Sequence, residues 1–185
     1  MTTIRNAITN CSGYGVVEMN HVASVKTGQI YAQLPLDGTT DFASAPAENG
    51  MLLVYDEITG VVRKPDAITE YVYLHKSVEK MYSSETVGLK EFALAKATTY
   101  PRLYKLNVGD TFTTTAFSYA DGTYANVAAI QAAITTSVVY GICSTTGDIA
   151  IVATPGGTEL VVLKAIKTTT LPNGTTGIKF RVEKA

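Results

Sequence analysis

Residues 51–64 read MLLVYDEITGVVRK, and this stretch indicates the type of fold. The segments 52–55 and 61–63 are mostly apolar and rich in residue types that favour strands. Between them, residues 56–60 (DEITG) form a short loop that ends in glycine, which readily adopts the positive φ that many hairpin loops need. The stretch therefore predicts a β-hairpin.

The same pattern recurs on both sides of this hairpin. Runs rich in Val, Ile, Tyr and Thr alternate with Gly, Pro, Asn and Asp, as expected for short strands joined by turns. Strands are predicted for segments 14–19, 29–34, 51–55, 60–64, 70–75, 102–106, 111–117, 137–143, 148–153, 160–167 and 178–183. The sequence predicts a mainly β protein, an antiparallel β-barrel or sandwich with one or two short helices and extended loops or arms.

One segment has helical periodicity. In residues 124–134 (YANVAAIQAAI), Val127, Ile130 and Ile134 recur at the spacing of one helix face, with alanines between them. Thr123 stands at the position of an N-cap. A helix is therefore predicted here, and shorter helical turns are predicted within the segments 77–84 and 89–97.

A division of the chain is predicted near residue 97, where longer predicted strands are followed by shorter, Thr-rich ones. Residues 1–97 are predicted to be an N-terminal β-rich region with an arm and a long loop, and residues 98–185 a C-terminal region resembling a small β-barrel. One continuous domain is the alternative. The long loop is the segment 37–50 (DGTTDFASAPAENG), whose small polar residues favour a surface loop or an extended arm.

Charge and composition bear on the possible partners. Charged residues make up 17% of the chain, against about 25% in an average protein. A surface partly covered by partners explains this shortage, and so does a surface coated with threonine. The net charge of −1 and the scattered basic residues argue against nucleic acid. No signal peptide or apolar segment of membrane-spanning length is evident, so synthesis in a cytoplasm and no membrane partner are expected.

Carboxylates supply one possible chemistry. Asp56, Glu57, Asp66 and Glu70 lie close together in sequence, and a pair of carboxylates in a cleft can perform the acid–base chemistry of a glycosidase. The alternative is that these residues are solvated charges in and around a hairpin loop. The second interpretation is favoured, since loop positions are usually hydrated.

Histidine and cysteine offer little more. His21 and His75 are the two histidines, and no G-x-S-x-G motif accompanies them. The S-x-x-K match at residues 77–80 and the K-T-G match at residues 26–28 stand in reversed order for the serine enzymes that carry them, and the S-D-N motif of those enzymes is missing. Cys11 and Cys143 are expected to be free thiols. The sequence therefore predicts no catalytic residue, no cofactor and no metal.

Aromatic and apolar residues in exposed contexts are the candidates for an interface. The chain has 11 tyrosines and no tryptophan, and tyrosine suits interfaces because its ring packs while its hydroxyl stays hydrogen bonded or hydrated. Tyr71 and Tyr73 lie on one face of their predicted strand. The interface candidates are Ile4, Ile8, Phe42, Tyr71, Tyr73, Tyr119 and Tyr124. The alternative is that tyrosine is simply a common strand former.

Three segments of the second half of the chain resemble, in their order, a known group of proteins. Residues 106–112 (LNVGDTF), 138–143 (VVYGIC) and 147–152 (GDIAIV) follow each other in an order that resembles the small β-barrel capsid decoration proteins of tailed bacteriophages. The resemblance covers residues 103–153.

This resemblance implies a non-enzymatic virion structural protein, assembled in the host cytoplasm, that stabilises a capsid. Its implied partners are other copies of itself and a major capsid protein. The alternatives are a β-domain of a tail, connector or adhesin, a soluble carbohydrate- or protein-binding module, and an enzyme.

An arm at the N-terminus is expected to dock on a neighbouring subunit. Deleting residues 1–10 should weaken assembly without unfolding the domain, because an arm adds contacts between subunits but not to the core. Co-sedimentation with assembled particles and thermal unfolding measure the two effects separately. Unchanged assembly of the truncated protein would contradict the arm hypothesis.

Overall fold

The computed structural model describes residues 4–5, 17–23, 29–77, 93–94, 99–119, 123–171 and 174–185. This part of the chain is mainly β, with one short helix, as predicted. The strands are β1 (Ile4–Arg5), β2 (Val17–Ala23), β3 (Ile30–Tyr31), β4 (Ala47–Glu48), β5 (Leu52–Asp56), β6 (Val61–Arg63), β7 (Tyr73–His75), β8 (Ala93–Leu94), β9 (Leu103–Tyr104), β10 (Thr111–Thr114), β11 (Phe117–Tyr119), β12 (Tyr140–Cys143), β13 (Ile149–Val152), β14 (Val162–Thr170) and β15 (Thr176–Lys184).

The larger sheet curls because one short segment supplies two of its distant strands. The strand order is β1-β11-β13-β12-β14-β15-β10-β2, so β10 and β11 stand five strand spacings apart. In a flat sheet that separation is roughly 24 Å. Yet only residues 115 and 116 join the two strands, and such a link reaches about 11 Å at most. The sheet must therefore curl, in agreement with the predicted barrel-like fold.

The sequence predicted one strand over residues 111–117, and the structure divides it into β10 and β11. The Thr114 hydroxyl accepts a hydrogen bond from the Ala116 amide at 3.0 Å, and the Phe117 amide donates to the Thr115 carbonyl at 2.9 Å. These local bonds occupy amides that a regular strand would pair with its neighbour, so the chain bends here.

The smaller sheet has the order β3-β9-β7-β5-β6. The predicted hairpin forms one side of this sheet, where β5 and β6 pair antiparallel with Val54 opposite Arg63 and Asp56 opposite Val61. Pro35 and Leu36 cover the outer edge of β6, where the Val62 amide donates to the Pro35 carbonyl at 2.7 Å. The edge is thereby protected from pairing with another chain.

Two hydrophobic clusters lie on opposite sides of this sheet. The main core joins β5 and β7 to the larger sheet and to the helix; its fully or almost fully buried members include Leu52, Val72, Phe112, Phe117, Ile130, Ile149, Leu163, Ile178 and Phe180. The second core contains Leu36, Phe42, Ala47, Met51, Leu53, Val62 and Leu103. The main core thus draws on both predicted regions of the chain, and the division near residue 97 stays a prediction.

The predicted helix is confirmed as α1 (Val127–Thr136), and its cap was assigned wrongly. Asn126, not Thr123, is the N-cap, because its side chain accepts a hydrogen bond from the Ala129 amide at 2.9 Å. Ile130 is the fully buried residue of this helix and packs into the main core.

Residues 37–50 fold against the smaller sheet rather than extending as an arm. Phe42, an interface candidate, is 2% exposed and belongs to the second core. The Asp41 carboxylate accepts a hydrogen bond from the Lys64 amide at 2.6 Å. Burying the phenylalanine ring is worth about 2 kcal/mol, which favours the folded loop over a solvated arm.

The predicted helical turns and N-terminal arm are only partly described. Ala93 and Leu94 form β8 and pair with β4, so the helical turn over 89–97 is wrong at these two residues. Residues 78–84 of the first turn and the other positions of the second lie outside the described residues. Ile4 and Arg5 pair with β11 of their own chain, so they form an edge strand rather than a free arm. Ile8 lies outside the described residues.

Replacing Gly141 by alanine should destabilise the larger sheet. A Cβ at this position in β12 would lie 2.5 Å from Ile149 Cγ2 and 3.1 Å from Phe180 Cε1, inside the main core. We expect the free energy of unfolding to fall by about 2 kcal/mol through overpacking. Urea unfolding measures this, with Gly156→Ala in an exposed loop as the control and an expected loss below about 1 kcal/mol. Equal effects of the two substitutions would contradict the close packing at Gly141.

Candidate binding surface

Four tyrosines form a connected group at the margin of the second core. We call Tyr31, Tyr55, Tyr71 and Tyr73 the tyrosine cluster. Ring centroids lie 5.2 Å apart for Tyr31 and Tyr55, 5.0 Å for Tyr31 and Tyr73, 6.3 Å for Tyr55 and Tyr73, and 5.1 Å for Tyr71 and Tyr73. Each of the four is half-buried, so the cluster packs on the core and also meets solvent.

The alternation of side chains along the strands brings these rings together. Leu53 in β5 faces the second core, so Tyr55, two residues further, lies on the same side of the sheet. Tyr73 in β7 lies opposite Leu53 in β5, and Tyr31 in β3 lies opposite Leu103 in β9. Three strands therefore direct their tyrosines toward one place, and Tyr71 adds its ring just before β7 begins.

The rings meet at steep angles. Their planes are inclined by 55° to 72° in the four contacts, which are tilted or edge-on arrangements. Such pairs contribute about 0.5–1.5 kcal/mol each beyond the burial of their area. The cluster is therefore a rigid, corrugated aromatic surface rather than a flat platform of coplanar rings.

The hydroxyl groups of Tyr71 and Tyr73 stay protonated at neutral pH, since their pKa values are raised. Burial raises the pKa of Tyr71 and of Tyr73, and the nearby Glu57 carboxylate contributes to the shift at Tyr73. The Tyr71 hydroxyl donates a weak hydrogen bond to the Leu106 carbonyl at 3.4 Å. Tyr71 and Tyr73 thus present neutral rings whose hydroxyl groups act as donors and acceptors.

The β5–β6 turn, which we call the hairpin tip, lies next to the cluster and is held tightly. The Asp56 carboxylate accepts hydrogen bonds from the amides of Ile58 at 3.0 Å and Thr59 at 3.1 Å, and the Gly60 amide donates to the Asp56 carbonyl at 2.9 Å. Gly60 has φ of 74°, a value that glycine adopts without strain. Ile58 is 98% exposed on this ordered turn.

Three of the four carboxylates considered for glycosidase chemistry surround one guanidinium group. Arg63 contacts Asp56 at 3.0 Å, Asp66 at 2.9 Å and Glu70 at 2.5 Å. The Thr59 amide and Arg63 lower the pKa of Asp56 to about 2, and Arg63 lowers the pKa of Glu70. A general acid needs a raised pKa, so this arrangement favours structural ion pairs over acid catalysis.

His75 is buried in a network that joins three parts of the chain. Its Nδ1 lies 2.7 Å from the Glu48 carbonyl oxygen, which only accepts, so Nδ1 carries the proton and donates. Its Nε2 then accepts from the Ser77 hydroxyl at 2.9 Å. The Ser77 oxygen also accepts from the Arg102 amide at 3.0 Å, and the Ser77 amide donates to the Asn49 side chain at 2.7 Å.

The contact between His75 and Ser77 has the geometry of a nucleophile and its base. However, His75 is 0% exposed and Ser77 is 6% exposed, so no substrate reaches the pair in this conformation. His75 Nδ1, the Ser77 hydroxyl oxygen and the Ser77 amide instead bind Glu48, Arg102 and Asn49, which lie on other segments. The network is best explained as a means of tying β4, β7 and β9 together.

The remaining interface candidates lie away from the tyrosine cluster. Tyr119 and Tyr124 are half-buried and pack against the main core. Tyr31, Tyr55 and Ile58 were not among the predicted interface residues. For Tyr55, the period-two pattern after Leu53 was a usable signal, whereas Ile58 appeared only as part of a polar turn.

The described segments were also compared with the requirements of a metal site, a reactive thiol and a membrane-spanning helix. There, no group of three or more His, Cys, Asp or Glu side chains is arranged to hold a metal ion. Burial raises the pKa of the Cys143 thiol to about 12, so it stays protonated. Over the same residues, no helix has the length and apolar character needed to cross a membrane.

Comparison of the chain with protein-family models, with curated proteins and with solved structures gave no match.

Protonation of His75 should make the protein less stable in mild acid. Burial lowers the pKa of His75 to about 4, below the usual 6.5 of an unfolded chain. The unfolded state therefore binds more protons between these values, and stability is lost as the pH falls through this window. We expect a loss of about 2 kcal/mol between pH 7 and pH 5, measured by urea unfolding at a series of pH values.

His75→Gln should flatten this pH dependence even if the variant is less stable throughout. His21→Gln is the matched control, since His21 and His75 are the two histidines of the chain. An unchanged slope in His75→Gln, or a flattened slope in His21→Gln alone, would contradict the assignment.

Proposed function

We propose that this chain is a non-enzymatic structural protein of a phage virion that stabilises the capsid by binding neighbouring protein subunits. The tyrosine cluster beside the exposed Ile58 carries the binding part of this proposal. The virion placement rests on the resemblance of residues 103–153 to capsid decoration proteins. The partners are other copies of the chain and a major capsid protein.

The energetics of the surface favour a protein partner. Ile58 is almost fully exposed on a turn that is already ordered. Burying an isoleucine side chain yields about 1.5–3 kcal/mol, and an ordered turn loses little conformational entropy on binding. Aromatic residues next to an exposed aliphatic side chain are a common composition at the centre of protein interfaces.

A carbohydrate-binding module is a weaker explanation of the same surface. Sugar rings stack on the flat face of an aromatic side chain, and a row of coplanar rings extends such a platform. The tyrosine rings are instead inclined to each other by 55° to 72° and pack on one another. This favours contact with the irregular surface of a protein.

The first experiment is to fractionate material from the natural source by sedimentation and to locate this chain by mass spectrometry. Co-migration with virus-sized particles at a fixed copy number is the expected result, and that number separates decoration from a connector. Migration only as a small soluble species would contradict the virion role.

Ile58→Ser should reduce binding to such particles by about tenfold or more, the equivalent of the lost burial of one isoleucine. Leu160→Ser is the matched control, because Leu160 is 41% exposed and lies in the loop before β14, away from the hairpin tip. Co-sedimentation of the purified variants with stripped particles measures the effect. Equal binding of Ile58→Ser and the parent would exclude the hairpin tip from the interface.

A further inference from the structure

Two aromatic rings near the tyrosine cluster's sheet already hold a cation: Phe42, in the loop packed against the smaller sheet, and Tyr104, in β9. Lys64 Nζ lies 5.2 Å from the centroid of the Phe42 ring, and Lys76 Nζ lies 5.7 Å from that of Tyr104. Both distances are within the range at which the negative face of an aromatic ring attracts a positive charge. Among the described residues, no such contact involves a ring of the tyrosine cluster.

Three rings of the cluster are close enough to act on one cation together. The centroids of Tyr31, Tyr55 and Tyr73 are separated by 5.0 to 6.3 Å. A positive charge placed above the three rings therefore lies within about 6 Å of each ring centroid, which is the distance limit for cation–π attraction. The rings already pack against each other, so they need little reorganisation to receive a ligand.

The charges on the hairpin side of the cluster have the complementary sign. Glu57 is exposed at the hairpin tip, and its carboxylate acts on Tyr73. Arg63 is the counter-charge of three carboxylates, Asp56, Asp66 and Glu70, so this neighbourhood carries an excess of negative charge. Such an excess attracts cationic partners and repels anionic lipid surfaces.

We propose that the tyrosine cluster binds an arginine side chain of a partner protein, with the guanidinium group over Tyr31, Tyr55 and Tyr73 and paired with Glu57. The proposal rests on the proposed role of the cluster in binding protein. Arginine is preferred to lysine because a guanidinium group is more weakly hydrated than an ammonium group, and because arginine is enriched at interfaces. The exposed Ile58 then contacts an apolar residue beside that arginine.

The test is an NMR titration of the full chain with N-acetyl-arginine amide, following the tyrosine ring signals. The neutral isostere N-acetyl-citrulline amide is the matched ligand. We expect arginine to shift the signals of Tyr31, Tyr55 and Tyr73 and citrulline to leave them nearly unchanged. Tyr104 is the internal control, because Lys76 lies over its ring and leaves less access for an added cation.

Glu57→Gln should raise the apparent Kd for N-acetyl-arginine amide about two- to threefold, the usual size of one exposed ion pair. Glu183 in β15 is also exposed, and Glu183→Gln should leave the apparent Kd unchanged. Equal shifts with arginine and citrulline, no shifts at all, or equal loss in both variants would overturn the proposal.

The outcome separates this proposal from the proposed function. Co-sedimentation with particles together with no arginine response would refute the arginine site alone. An arginine response in a chain that never travels with particles would support the site and refute the virion role.

Discussion

A strand buried on both faces is the constraint on which the rest of the structure depends. In β5, Leu52 and Val54 enter the main core, while Leu53 enters the second core. Because side chains alternate strictly along a strand, a slip of one residue in its pairing would exchange the two sets. The register of β5 with β6 and β7 therefore determines both cores together.

The same register produces the candidate binding surface. The residue that follows the buried run on the side of the second core is Tyr55, and it emerges beside Tyr31 and Tyr73 where that core ends. The strand then passes into a turn held by Asp56, whose carboxylate also pairs with Arg63. The surface is thus the exposed margin of a core, and its rigidity comes from the packing beneath it.

The ionisable groups of the smaller sheet serve its structure in two ways. Arg63 joins three carboxylates at the surface, where water weakens each pair and the network mainly orders the hairpin. His75 is fully buried, and every one of its ring nitrogens has a partner. The His75 network therefore matters more for stability than the Arg63 network, because leaving a buried polar group unpaired costs far more free energy than leaving an exposed one unpaired.

The sequence by itself determined the features that depend on neighbours along the chain. These are the hairpin of residues 51–64, the β class and the helix near Ile130, since strand and helix periodicity and turn residues are local properties. Only the tertiary structure decided the burial of Phe42 and the gathering of Tyr31, Tyr55, Tyr71 and Tyr73 into one cluster. Each of these depends on contacts between segments that are distant in sequence, and a single sequence does not specify which strands become neighbours.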